Sequence, residues 1–312
     1  MENKSLTTGN ATQPSNTSAG LSSTWILIIA TLFLMLGIFL CFILLMLSAF
    51  FSSMHLREQT RYALFVYMLL NDTAYLLASG YLFLFAMLVY NMPVLVCYVV
   101  VTISSTTFLN TPNGLAVMAL ERYVAICFPL RHAEICRIDR SWVVIVVIST
   151  VGFFPYFIDI IILLSVSPLN PFSSFMACSR TALIIIPVQG TLRFFVHGAT
   201  FTLVALVIVF TYIKIMLEAK KINGDRASSS KGKQTVMLHA VQLLLCMTSF
   251  TYGITEYLAK NQLLYLKIMN MFVFMLFPRL LSPLIYGFRD ETFRTHVKVF
   301  LIRCLHRAGS KS

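Results

Sequence analysis

Charged side chains are what this sequence has least of. They make up 12% of its 312 residues, with 12 Asp and Glu set against 24 Lys and Arg. Soluble domains carry about 25% charged residues on a half-apolar background, whereas here the hydrophobic share is 58% and the mean hydropathy +0.81. So little charge leaves no way to cover the apolar surface in water, and the chain reads as a bilayer protein. The spacings that enzymes and metal proteins need are also missing. There is no His/Cys ligand pattern, no glycine-rich phosphate loop and no ordered nucleophile set, so neither an enzyme nor a metal or other cofactor is expected. No internal repeat is visible, which leaves a transporter as the weaker rival class. Nor does a basic start with a short apolar run head the chain, so its first residues do not read as a signal peptide.

Long apolar runs are what the chain does have. They cover about 25–51, 62–90, 94–126, 142–165, 188–217, 236–258 and 265–288. A helix needs roughly 20 such residues to cross the hydrocarbon core. Lipid offers backbone groups no partners and barrel strands are only half as long, so helices are expected. The predicted fold is all-α, a seven-transmembrane helix bundle over 25–288. A polar tail over 1–24 precedes it, and a cytoplasmic amphipathic helix and tail over 289–312 follow.

Orientation follows from two independent signals. Asn3, Asn10 and Asn16 each begin an N-glycosylation triplet ahead of the first run, which favours an extracellular amino terminus. With that orientation, 18 of the 24 basic residues fall on the cytoplasmic side, among them Arg57, Arg61, Arg122, Arg131, Lys220 and Lys221. That is the positive-inside bias. The net charge of +12 is then a topology signal, and no nucleic-acid partner is implied. The expected location is the plasma membrane, with several passes and a cytoplasmic carboxyl terminus. Of the seven cysteines, only Cys97 and Cys178 would meet an oxidising compartment, and one disulfide between them would pin the second outer loop over the bundle. Cys304 reads either as a palmitoylation site or as an unmodified thiol.

The third run ends in Met118-Ala119-Leu120-Glu121-Arg122-Tyr123-Val124-Ala125-Ile126-Cys127-Phe128-Pro129-Leu130-Arg131-His132. This closely resembles the MAxxRYVAICxPLxY signature of odorant receptors, a branch of the rhodopsin-like G-protein-coupled receptors. Leu281-Ser282-Pro283-Leu284-Ile285-Tyr286-Gly287-Phe288-Arg289-Asp290 is similar to that family's PxLNPxIYxLRN. Leu69-Leu70-Asn71-Asp72 and Phe250-Thr251-Tyr252-Gly253 match its patterns in the second and sixth spans. The resemblance runs from the first span to the tail and is nearest to the fish odorant receptors. Three departures stand out. The Asn expected in the first span is absent, Ser282 replaces the Asn before Pro283, and the second outer loop holds one cysteine where three are usual.

The resemblance implies a receptor that binds a small organic odorant and activates a heterotrimeric G protein, of the stimulatory olfactory type that raises cyclic AMP. Glu121 would hold Arg122 in the resting state, with Tyr123 completing the motif, and Tyr212, Pro283 and Tyr286 would take part in the switch. The alternative for the two tyrosines is the interfacial aromatic belt. Asp72, Thr111, Arg279 and Ser282 form the expected intramembrane polar core, since charges at that depth are costly and usually paired or functional. Many family members hold a sodium ion beside the acid. Arg279, one turn before Pro283, would neutralise Asp72 directly, or else snorkel away. The ligand pocket transfers to Ser104, Ser105, Phe108, His197, Thr200, Phe201, Tyr252, Thr255, Glu256 and Phe272, a mostly apolar lining with a few hydroxyls. Ordinary helix packing is the competing reading for each of them. Glu256 or Arg193 would meet a charged odorant. A rhodopsin-like receptor with a non-olfactory role remains the close rival.

Overall fold

The computed structural model describes residues 18–88, 91–166, 175–176, 178, 183–184 and 186–221, with scattered positions between 237 and 302, of which 271–277 and 279–281 are the longest runs. The chain divides into two compact units, Met1–Cys41 and Phe42–Ser312. Helix α1, Ser18–Ser52, supplies the described part of the first unit and enters the second. It is apolar almost all round, with Ile26, Leu27, Phe33, Leu34 and Ile38 exposed, the pattern of a helix whose solvent is hydrocarbon.

The second unit continues through α2 (Met54–Arg57), α3 (Thr60–Leu88), α4 (Val94–Cys127), α5 (Pro129–Ile135), α6 (Ile138–Val166) and α7 (Pro187–Lys221). Five helices among the described residues are long and apolar enough to cross a membrane: α1, α3, α4, α6 and α7. Each coincides with one of the first five apolar runs to within a few residues. The sixth span, most of the seventh and the tail helix over 289–312 lie outside the described residues, apart from scattered helical positions and the π-helical segment Met271–Leu276.

Helix α4 is the hub, packing against α3, α6 and α7. It is accordingly the most buried span, and its polar residues Ser104, Ser105, Thr107, Asn110 and Thr111 are all buried. Pro112 lies inside it and removes the N–H that would otherwise bond the Phe108 carbonyl. Where α6 meets α4, Gly152 leaves room for the Asn110 side chain, which a Cβ would overrun. With its amide nitrogen turned inward, Asn110 donates to the carbonyls of Thr106 (3.3 Å) and Ile148 (3.2 Å) and so joins the two helices.

The all-helical expectation has one small exception. Met92–Pro93 (β1) pairs antiparallel with Phe175–Met176 (β2), Met92 opposite Met176 and Pro93 opposite Phe175. The Cys97–Cys178 disulfide, with a Cα–Cα distance of 5.6 Å, explains it. It ties the connection between α6 and α7 to the first turn of α4, and the backbones just beside the bridge are left close enough to pair. Met92, Cys97, Tyr98, Val101, Leu163 and Leu183 pack beneath as one buried cluster.

Candidate functional site

At mid-depth, four polar residues of α3 and α4 converge with Arg279. Arg279 and Asp72 are each 1% exposed, and Arg279 Nη1 lies 2.5 Å from Asp72 Oδ1. The Thr111 hydroxyl donates to Asp72 Oδ1 at 2.9 Å and accepts from Asn71 Nδ2 at 3.0 Å and from Arg279 Nη1. The same hydroxyl lies 3.2 Å from the Thr107 carbonyl, so its single hydrogen is shared between that carbonyl and Asp72 while both lone pairs accept. Asn71 also donates to the Thr107 carbonyl at 2.8 Å. The guanidinium stands 4.5 Å from the Tyr75 ring centroid and 5.7 Å from that of Phe108, a cation–π arrangement that gains strength away from water. Of the expected polar core, Asp72, Thr111 and Arg279 come together, and Ser282 lies outside the described residues.

Phe108 also faces the α4–α7 interface. Its ring is 5.9 Å, edge-on, from His197 and 5.9 Å from Phe201. His197 Nε2 is in turn 3.3 Å from the Tyr156 hydroxyl on α6. Ser104 and Ser105 are buried on the same helix as Phe108, while Thr200 and Phe272 are half-buried. Tyr252, Thr255 and Glu256 lie outside the described residues. The structure therefore gathers three members of the expected lining around one aromatic contact. It is mainly apolar, with an imidazole as its polar handle.

Next to this contact is a charged cluster that the sequence reading did not assemble. Asp159, 2% exposed, accepts from Arg193 Nε at 2.8 Å and Nη2 at 2.6 Å and from Gln189 Nε2 at 3.1 Å. Arg193, expected to be free for a charged odorant, spends its charge on this acid and lies 5.6 Å over the Tyr156 ring. An Asp inside the fourth apolar run was the available signal, because an intramembrane acid calls for a partner. The sequence did not reveal which cation would answer it.

The Glu121-Arg122-Tyr123 end of α4 behaves differently. Glu121 Oε2 is 3.5 Å from Arg122 Nε, and its other oxygen is 3.1 Å from His132 Nε2 on α5. Tyr123 packs edge-on against Phe128 (5.7 Å) and Phe210 (5.6 Å), joining α4 to α7. Tyr212 is half-buried on α7. Pro283 and Tyr286 lie outside the described residues, as do Asn3, Asn10 and Asn16. A cavity of about 700 Å³ opens here, lined by Glu121, Arg122, His132 and Cys136 with Glu58, Arg61, Arg137 and Asp139 around them. Burial, then the Glu121 charge, pushes the Cys136 thiol above its ordinary range. Thr60 fixes the wall, donating to the Cys136 carbonyl at 2.7 Å and accepting from Ser141 at 3.0 Å.

The family model described as "Olfactory receptor" matches residues 80–304, a stretch that holds the α4 hub, the Phe108 aromatic contact and Glu121-Arg122-Tyr123. Odorant receptor 131-2 of Danio rerio is 34% identical over 213 residues, covering 65% of this chain and 64% of the relative. Olfactory receptor 8I2 of Homo sapiens is 28% identical over 200 residues, 61% of each, and the human olfactory receptor 52A1 is 25% identical over 210 residues, 61% of this chain and 65% of the relative. The chain thus spans a little under two thirds of the length of these relatives. A family match over most of the chain, on a multi-pass helical membrane protein with the Cys97–Cys178 bridge, leaves one assignment: the chain belongs to the olfactory receptor family of G-protein-coupled receptors and is not an enzyme.

Proposed function

We propose that this chain is an odorant receptor of the plasma membrane, with its amino-terminal tail (1–24) outside and its tail helix (289–312) in the cytosol. A small organic odorant binds in the outer half of the bundle and a heterotrimeric G protein, of the stimulatory type that raises cyclic AMP, engages the Glu121–Arg122–Tyr123 end. The observation that carries the reading is the position of Phe108. One side of its ring meets His197 and Phe201, and the Arg279 guanidinium lies 5.7 Å away. A ligand that moves this ring acts at once on the buried charge pair below it. Signalling needs such a mechanical link, because a ligand shifts an equilibrium only by contacts that differ between two states.

In this reading Ser104, Ser105, Thr200, Tyr252, Thr255, Glu256 and Phe272 complete the lining. The pocket selects mainly by shape and apolar contact, with His197 offering a hydrogen bond. Asp72, Thr111, Arg279 and Ser282 form a core in which the arginine supplies the positive charge that a sodium ion gives elsewhere. Tyr212, Pro283 and Tyr286 rearrange as Arg122 is released from Glu121. The glycosylated asparagines Asn3, Asn10 and Asn16 mark the outer tail. The test is cyclic-AMP production in cells displaying the chain, challenged with a panel of water-soluble odorants beside an Arg122→Ala control. A ligand-dependent rise that Arg122→Ala abolishes is expected. Silence at verified surface expression would overturn the coupling.

A further inference from the structure

Glu121 is 6% exposed and its two oxygens serve two different elements. Arg122 on α4 holds Oε2 loosely, at 3.5 Å, while His132 on α5 holds Oε1 more closely, at 3.1 Å. The cavity of about 700 Å³ reaches all three side chains, so water and protons have access to an acid that is otherwise buried. The other charged or titratable groups lining it are Glu58 between α2 and α3, Arg61 in the first turn of α3, Cys136 and Arg137 before α6, and Asp139 on α6. Arg137 and Asp139 pair with one another at 2.9 Å.

Imidazole is the side chain whose charge ordinarily changes near neutral pH. With the His132 ring neutral, Glu121 and Arg122 form a neutral pair and His132 adds only a hydrogen bond. With the ring protonated, two cations share one carboxylate. The set gains a net positive charge, and the imidazolium and guanidinium repel each other at short range. We propose that His132 is a positioning residue that sets, through Glu121, how firmly Arg122 is held, so that acid on this face loosens Arg122. The inference rests on the proposed function in taking this face as cytosolic and Arg122 release as the activating step.

The experiment measures GTP-analogue loading of added G protein on membranes bearing the wild type, His132→Gln or His132→Arg, with pH stepped across the neutral range. Basal loading by the wild type should rise about threefold from pH 8 to pH 6, the scale of a partly exposed ion pair. His132→Gln should stay flat at the low level and His132→Arg flat at the high one. Where the wild type loads G protein, a Gln variant that keeps the wild-type slope, or an Arg variant no higher than the Gln variant, overturns the proposal.

A second arm needs no G protein. Tyr123 follows Arg122 and packs on Phe210, and Lys214 Nζ lies 5.8 Å over the Phe210 ring. A fluorescent amino acid introduced at Lys214 should therefore change emission between pH 8 and 6 in the wild type and not in His132→Gln. Emission that titrates equally in both overturns the proposal even if no odorant ever evokes signalling. A wild type that titrates by fluorescence but never loads G protein would sustain the His132 coupling and strike down the receptor reading alone.

Discussion

Arg279 and Asp72 are 207 positions apart in the chain and 2.5 Å apart in space. Both are almost fully buried, and the Thr111 hydroxyl bonds to each. Removing one partner of such a pair leaves an uncompensated charge and costs about 3–5 kcal/mol. Arg279→Gln should therefore reduce surface expression and thermal stability sharply. The double variant Asp72→Asn, Arg279→Gln should recover much of that loss. Thermal unfolding of the purified receptor reads both. Replacing sodium by choline should leave odorant potency unchanged, and potency that tracks sodium through Asp72 would refute the charge substitution.

Phe108 joins the His197–Phe201 contact to that core. Phe108→Leu keeps an apolar side chain but loses the ring faces that meet His197, Phe201 and Arg279. Each aromatic contact contributes about 0.5–1.5 kcal/mol, so odorant potency should fall about tenfold. Concentration–response curves at matched surface expression check this. Unchanged potency would place the ligand elsewhere.

Arg193 is committed to Asp159. Arg193→Gln should lower stability by about 3 kcal/mol, because among the described residues the buried Asp159 then keeps only Gln189. It should not alter the preference between carboxylate and neutral odorants. A selective loss of potency for carboxylates would show that Arg193 reaches the ligand.

Cys136 should alkylate slowly at neutral pH. Burial first, and the Glu121 charge second, disfavour its thiolate, and only the thiolate is the nucleophile. A thiol whose folded-state pKa is raised adds stability that is fully present below its unfolded value and is lost as pH rises through the folded one. The alkylation rate should accordingly keep climbing with pH beyond the ordinary thiol value of 9.0. Glu121→Gln should speed it at fixed pH. Mass spectrometry of the Cys136 peptide after timed iodoacetamide treatment follows both effects.

Much of the fold was legible in the residues because each span answers to a local rule. An apolar run long enough to cross a bilayer must close its own hydrogen bonds, and α1, α3, α4, α6 and α7 follow the runs almost residue for residue. Asp72, Thr111 and Arg279 were legible as a set because charge at membrane depth demands a partner. The Asp159–Arg193 pair was not assembled: Arg193 was read as meeting a charged odorant and Asp159 was not singled out, and their meeting depends on how α6 and α7 are docked. His132 was hidden for a similar reason. In the motif it is one more position after Arg131, and only the turn at Phe128 that folds α5 back toward α4 brings its ring to Glu121.

The sequence by itself determined that this is a multi-pass membrane chain, where its first five spans run, where its family signature lies and which cysteines pair. Composition, run length and compartment chemistry act locally and need no coordinates. Tertiary structure decided which buried charges share a partner. It set Arg279 on Asp72, Arg193 on Asp159 and His132 beside Arg122 on Glu121. The physical reason is that an ion pair or ring contact falls off within a few ångströms. Partner choice is thus fixed by how the helices pack, and residues far apart in the chain meet only once α4 has gathered its neighbours around it.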